Sequence, residues 1–251
     1  MLPVLNIGSV ALPTYPLLLL VATWAGLWLA ARRAGQLGLD GDHVFNAGLY
    51  GILAGLIGAR LWFVLSNWEV YAPDVLQAFS LSRNALAVEE GVIIGVLVAL
   101  IYLLRQRVPA SVFVDALTPG LALALIIGHI GAFLGGEALG VASNLPWAVE
   151  MAGLKRHPLQ LYEAVAGVVI LIILYVTRDR RPWSGFQFWL LVALYSLARL
   201  LLEIFRAQPY LIGDHLMAAQ LVALAALVVA LAVMAYNFTA ETVQAKNHET
   251  L

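Results

Sequence analysis

Residues 185–206 read GFQFWLLVALYSLARLLLEIFR. No residue before Arg199 in this run is charged. As a helix rising ~1.5 Å per residue, the run crosses most of a bilayer core ~30 Å thick. Arg199 then falls about two-thirds of the way across, counted from Gly185 at that rise. Tyr195, Arg199, Glu203 and Arg206 follow one another at spacings of four, four and three. On a helix they share a stripe roughly 80° wide. Ionisable side chains at membrane depth are costly, and they mark sites or interior partners by default. The run therefore sets two expectations: a membrane-spanning helix, and a polar cluster near one membrane face.

The rest of the chain extends the first expectation. Of its 251 residues 62% are hydrophobic and 12% charged, with a mean hydropathy of +0.89. Soluble domains are roughly half apolar and about a quarter charged. Seven segments qualify as spans, approximately 12–31, 44–65, 91–104, 112–134, 161–177, 185–202 and 217–236. The third is short as a purely apolar run and borrows residues 85–88. The first is too long for the apolar core of a cleaved signal peptide, and Arg32 and Arg33 follow it rather than precede it. The expected fold class is all-α, a polytopic helix bundle forming a single transmembrane domain over 1–251, with loops 66–90 and 135–157 on the outer face. The aromatic residues Trp68, Tyr71 and Phe79 suit a short interfacial helix in the first loop, and Trp147 in the second suits the headgroup zone.

Lysine and arginine in the loops orient the bundle. Arg32 and Arg33, Arg105 and Arg107, Arg178, Arg180 and Arg181, and Lys246 follow spans one, three, five and seven. These ends share one side, the cytoplasm, so the amino terminus is expected outside and the carboxyl terminus inside. Lys155 and Arg156 are an exception on the outer side. The formal net charge is −1, which provides no basic field for nucleic acid. The chain has no cysteine, which excludes disulfides, thiolate metal sites and a cysteine nucleophile of its own. No histidine spacing suggests a metal, and no cofactor is implied. His43, His215 and His248 read as solvated, and Asp115 as structural, near the cytoplasmic end of span four.

The second expectation gathers residues from several spans at one depth. Arg60 lies late in span two, and Glu89 and Glu90 open span three. His129 lies late in span four with Glu137 just beyond it. Arg199, Glu203 and Arg206 end span six. An internal Arg–Glu ladder would account for part of this set, but Glu203 alone does not neutralise its cations. Arginines at headgroup level suit a phosphate, which guanidinium binds bidentately. The glycine-rich run Gly128-His129-Ile130-Gly131-Ala132-Phe133-Leu134-Gly135-Gly136-Glu137-Ala138-Leu139-Gly140 reads either as close helix packing or as a broken helix end offering N–H groups to an anion. Arg156-His157-Pro158-Leu159-Gln160-Leu161-Tyr162-Glu163 is polar at the mouth of span five, where proline suits a helix start.

These segments, in this order and over nearly the whole length, resemble the prolipoprotein diacylglyceryl transferases of bacteria. Residues 156–163 resemble that family's RHPxQLYE segment, and the glycine run its GRIGNFxNGExxG signature. Gly58-Ala59-Arg60 resembles its GxR segment, and Tyr195 to Arg206 its YxxxRxxxExxR segment. The resemblance implies a seven-span enzyme of the bacterial cytoplasmic (inner) membrane. Such an enzyme moves diacylglyceryl from phosphatidylglycerol to the thiol of a lipobox cysteine in a secreted preprotein, and glycerol phosphate leaves. By the same resemblance Arg199 is an essential site arginine. Arg60, Glu137, Gly140, Glu203 and Arg206 are supporting or lipid-binding residues, joined by Arg156 and His157, and Tyr15 stands where the family often has a tyrosine opening span one.

The chain departs from the family pattern at identifiable places. The family's SFHGG is here Val88-Glu89-Glu90-Gly91-Val92, with Glu90 where a histidine is expected. His129 replaces the signature arginine, and Ala132 and Gly135 replace its two asparagines. One assignment makes Glu90 the base and His129 a phosphate donor. Three readings stand: an active transferase with altered acid–base residues, a relative that modifies another acceptor, and a non-catalytic phospholipid-binding or transport protein on the same scaffold.

Overall fold

A computed structural model describes every residue except 1, 9, 80–85, 213–215, 250 and 251, and only the backbone of 7, 10, 78, 79 and 241–249. Its elements in chain order begin with strands β1 (Val4–Ile7) and β2 (Val10–Pro13) and helices α1 (Thr14–Gln36), α2 (Asp42–Ser66) and α3 (Trp68–Tyr71). A 3-10 turn at Val75–Phe79 precedes α4 (Val88–Arg105) and α5 (Ala110–Gly135). Then follow β3 (Val149–Met151), β4 (Leu154–Arg156), α6 (Leu159–Thr177) and α7 (Phe186–Leu202), which runs into a 3-10 turn at Glu203–Phe205. The chain closes with β5 (Leu211–Ile212), β6 (Leu216–Met217) and α8 (Ala218–Glu249). The strands form three two-stranded antiparallel ribbons.

Among the described residues six helices are long and apolar enough to cross a membrane: α1, α2, α5, α6, α7 with its 3-10 extension, and α8. The expected third span is helical over Val88–Arg105, but its 18 residues include Glu89, Glu90 and Arg105, and it is not one of those six. The helices turn large apolar side chains outward, as with Leu20 and Val222, each 69% exposed. A water-soluble monomer does not display so much contiguous apolar surface, and the chain is a polytopic helical membrane protein.

The chain sorts into two compact units, Met1–Arg33 with Val114–Leu251, and Ala34–Phe113. In the second unit α2 and α4 pack backbone to backbone. A Cβ placed on Gly95 would lie 2.6 Å from the carbonyl oxygen of Gly51, and one on Gly91 2.7 Å from that of Gly55. Small residues at helix crossings are the membrane solution where lipid offers no hydrophobic contrast. The loop after α2 contains a short helix, α3, as expected. His43, expected in solvent, instead lies with Nδ1 2.9 Å from the Tyr102 hydroxyl, because helix α4 brings that tyrosine to it. His215 lies outside the described residues, as does the side chain of His248.

The first unit packs α1 against α5 and α5 against α6. Gly26 and Gly120 meet at their backbones, and Ile126 rests on Gly167. Ala122, Ile170, Leu174 and Leu191 form a buried cluster joining α5, α6 and α7. The start of α7 is held from another helix. Gly185 sits there at φ 100° with no capping side chain of its own. Asp115, fully buried, accepts the N–H groups of Gly185 at 2.7 Å and Phe188 at 3.0 Å, which confirms its structural reading. At the same end Arg33 Nη2 donates to the Arg178 carbonyl at 3.1 Å.

Candidate active site

The opposite end of the first unit holds the ionisable side chains. Helix α6 starts at Leu159 behind Pro158, and its fifth residue, Glu163, points into the bundle, 6% exposed. Arg199 closes α7, and Glu203 and Arg206 belong to the tighter turn after it. Arg199 Nη1 donates to Glu163 Oε1, and its Nη2 lies 2.7 Å from Glu203 Oε2. Arg206 donates through Nη2 to Glu163 Oε1 at 2.9 Å, and its Nε lies 3.0 Å from both oxygens of Glu203. Glu163, Arg199, Glu203 and Arg206 thus form a closed ring of alternating charge. His129, from α5, joins it with Nδ1 3.0 Å from Glu163 Oε2.

The ring is layered. The carboxylate side chains are 4% and 2% exposed, and the guanidinium side chains 21% and 18%. The acids lie beneath and hold the bases in place, while the arginines keep an accessible edge. Each arginine has five N–H donors. The carboxylates engage Nη1 and Nη2 of Arg199 and Nε and Nη2 of Arg206, which leaves further N–H groups on both. Removing one partner from such a buried network typically costs about 3–5 kcal/mol, so the ring also supports the fold.

The internal ladder anticipated along α7 exists, at spacings of four and three, but a second acid closes it. Glu163 ends the 156–163 segment and has no site role in the sequence reading, where the surplus of cations over Glu203 points to a missing acid without identifying it. It is the sole ionisable carboxylate in α6, and a lone acid inside a span needs a cation.

Around the ring, the segment after α5 is built as a small sheet. Gly140 pairs with Arg206, and Ala142 pairs with Arg156 of β4. Val141 N–H donates to the Phe205 carbonyl at 2.8 Å, and His157 N–H donates to the Val141 carbonyl at 3.0 Å. A Cβ on Gly140 would lie 2.2 Å from the His157 carbonyl oxygen, so only glycine permits this approach. Arg156 serves the sheet, donating to the carbonyls of Gly140 at 3.0 Å and Met151 at 3.2 Å. His157 stacks at 4.9 Å from the Phe205 ring, with Nδ1 3.2 Å from the Tyr162 hydroxyl. Trp147 Nε1 donates to that hydroxyl at 2.7 Å.

Other expected residues have plainer positions. Glu137 is exposed, and its carbonyl accepts from Gln160 Nε2. Tyr15 packs on Gly131 and Gly135. Helix α5 continues unbroken to Gly135, so here the glycine run acts as a packing surface. In the second unit Arg60 is buried, donating through Nη2 to the Gln77 carbonyl at 2.7 Å with its guanidinium 5.3 Å from the centre of the Tyr71 ring. Those contacts tie the loop after α2 to its helix. Glu90 is half-buried in the first turn of α4, where a carboxylate favours the helix dipole. No cluster of histidine and acidic residues suited to a metal occurs among the described residues.

The chain matches a family model described as Prolipoprotein diacylglyceryl transferase over residues 3–236. Curated relatives agree. It is 33% identical over 204 residues, 81% of this chain and 82% of the relative, to the phosphatidylglycerol–prolipoprotein diacylglyceryl transferase of Clostridioides difficile. With the protein of the same name from Geobacter sulfurreducens it is 31% identical, covering 83% of each chain. With that from Thermosynechococcus vestitus it is 28% identical, over 89% of this chain and 87% of the relative.

Proposed function

Because the chain belongs to the prolipoprotein diacylglyceryl transferase family, we propose that it transfers diacylglyceryl from phosphatidylglycerol to the cysteine thiol of a lipobox preprotein. The observation that carries this reading is the ring of Glu163, Arg199, Glu203 and Arg206, with its acids buried and its guanidinium edges accessible. Phosphodiester oxygens accept hydrogen bonds from those edges. As the glyceryl carbon–oxygen bond breaks, charge grows on the same phosphate, and donors already fixed in place stabilise it without reorganising. The enzyme needs no nucleophile of its own, since the acceptor thiol supplies one; this suits a chain without cysteine.

Gly140, Arg156 and His157 maintain the sheet that carries Arg206, and Tyr15 and Glu137 border the headgroup. The bundle spans the inner membrane seven times, with α4 as the seventh crossing, the amino terminus outside and the carboxyl terminus in the cytoplasm. The loop arginines support this orientation.

The test uses the full chain in vesicles of phosphatidylglycerol labelled in its acyl chains, with a lipobox peptide as acceptor. Label is expected on the peptide cysteine. Arg199→Ala is expected to lower the rate at least 100-fold, the scale of losing one donor to a developing oxyanion. Label on a different acceptor would point to a diverged specificity, and lipid binding without turnover would overturn the transferase reading.

A further inference from the structure

One polar atom of the site has no protein partner. His129 Nε2 is shielded from solvent and makes no hydrogen bond among the described residues, while Nδ1 of the same ring contacts Glu163 Oε2 at 3.0 Å. A carboxylate held by two guanidinium groups is an anion whose oxygens only accept. The hydrogen between His129 and Glu163 therefore sits on Nδ1, which in the uncharged ring leaves the lone pair on Nε2. Buried acceptors without partners are rare in native proteins. This one lies beside the carboxylate that holds Arg199 and Arg206, where a substrate atom can meet it. Glu90, the other base considered from the sequence, has no group orienting it among the described residues.

We propose that His129 Nε2 is the general base for the acceptor thiol, with Glu163 as the positioning residue that fixes the tautomer; this rests on the transferase reading above. The S–H bond breaks as Nε2–H forms. The sulfur electron pair makes the new S–C bond to the glyceryl carbon, and the C–O bond to phosphate breaks with its electrons going to oxygen. The phosphate monoester leaves facing Arg199 and Arg206, takes the proton from His129, and restores the neutral imidazole. The histidine at position 129, where the family signature has arginine, thus supplies the proton acceptor that the chain lacks at position 90.

The test compares two lipobox peptides, one with the acceptor cysteine and one with selenocysteine, whose selenol is ionised at neutral pH and needs no base. His129→Asn keeps an N–H toward Glu163 and removes Nε2. It is expected to slow transfer to the cysteine peptide about 100-fold or more, within the usual range for a lost general base, and to leave the selenocysteine peptide nearly unaffected. Arg199→Ala should slow both alike. Glu163→Gln should slow both, but the cysteine peptide more, a split that a purely structural carboxylate would not produce. If His129→Asn melts below the assay temperature, His129→Gln carries the same comparison. Equal losses on the two peptides, or no loss on cysteine, overturns the proposal while leaving the transferase reading standing. A wild-type enzyme that labels neither peptide overturns that reading itself.

Discussion

Gly140 shows how one missing side chain sets the position of a distant charge. Its backbone pairs with Arg206 on one side, its carbonyl accepts from Arg156, and the His157 carbonyl fills the space a Cβ would need. Backbone, unlike a flexible side-chain tip, has little freedom to yield. Gly140→Ala is therefore expected to push the 139–143 segment away from β4 and carry Arg206 off Glu163 and Glu203. Overpacking of this kind costs typically 1–3 kcal/mol. Melting of the detergent-solubilised variant should fall accordingly and transfer activity should fall further, because the guanidinium moves with the backbone. Gly35→Ala is the control, since no atom lies within 4 Å of the added methyl there, and it should match the wild type in both measurements. The same residue scale explains why Glu163 had to be found by contact. Its neighbours in sequence are a proline-started helix mouth, and nothing in their spacing reveals that arginines 36 and 43 positions away share its oxygen. The surplus of cations over Glu203 was legible; the identity of the acid that balances them depended on how α6 packs on α7.

At the scale of elements, hydropathy located the helices because lipid demands long apolar runs. The observed helices extend the expected spans by a few polar residues at either end, as with α2 over Asp42–Ser66. The ribbons were not legible. The turn of the β3–β4 ribbon uses Ala152 at φ 52°, a left-handed conformation that alanine does not advertise. Helix α7 illustrates what an element requires beyond its composition. It presents Arg199 at one end, and at the other end its first amides depend on Asp115 from α5. Asp115→Ala removes both acceptors and leaves buried N–H groups unsatisfied, at roughly 1–3 kcal/mol for such a group. The expected outcome is a loss of about 2 kcal/mol or more in denaturant unfolding of the solubilised protein, together with frayed amide protection confined to the first turn of α7. Loss of protection spread evenly along α7 would show that the cap does not act locally. Asp115→Asn retains one acceptor and should fall between the two.

At the scale of the whole chain, the loop arginines and the contacts of the first unit bear on orientation by separate routes. The guanidinium of Arg33, at the end of α1, reaches the Arg178 carbonyl, at the end of α6. Asp115, at the start of α5, reaches the start of α7. These four helix ends lie together, and two of them carry the arginine-rich loops read from sequence. The opposite ends of α5, α6 and α7 carry the ring, and the segment before β1 reaches that side too, since Leu2 N–H donates to the Leu134 carbonyl at 3.0 Å. In the proposed orientation, with basic loops in the cytoplasm, the ring would face outward, toward the secreted preprotein and outer-leaflet lipid of the proposed reaction. The chain has no cysteine, so single cysteines report topology without a background. Asn144→Cys, exposed beside the small sheet, should react with a membrane-impermeant maleimide in intact spheroplasts. Arg180→Cys, exposed in the loop after α6, should react only after the membrane is opened. The reverse pattern would place the guanidinium pair in the cytoplasm, on the wrong side for any exported acceptor, and would remove the reason for a thiol substrate to reach His129 at all.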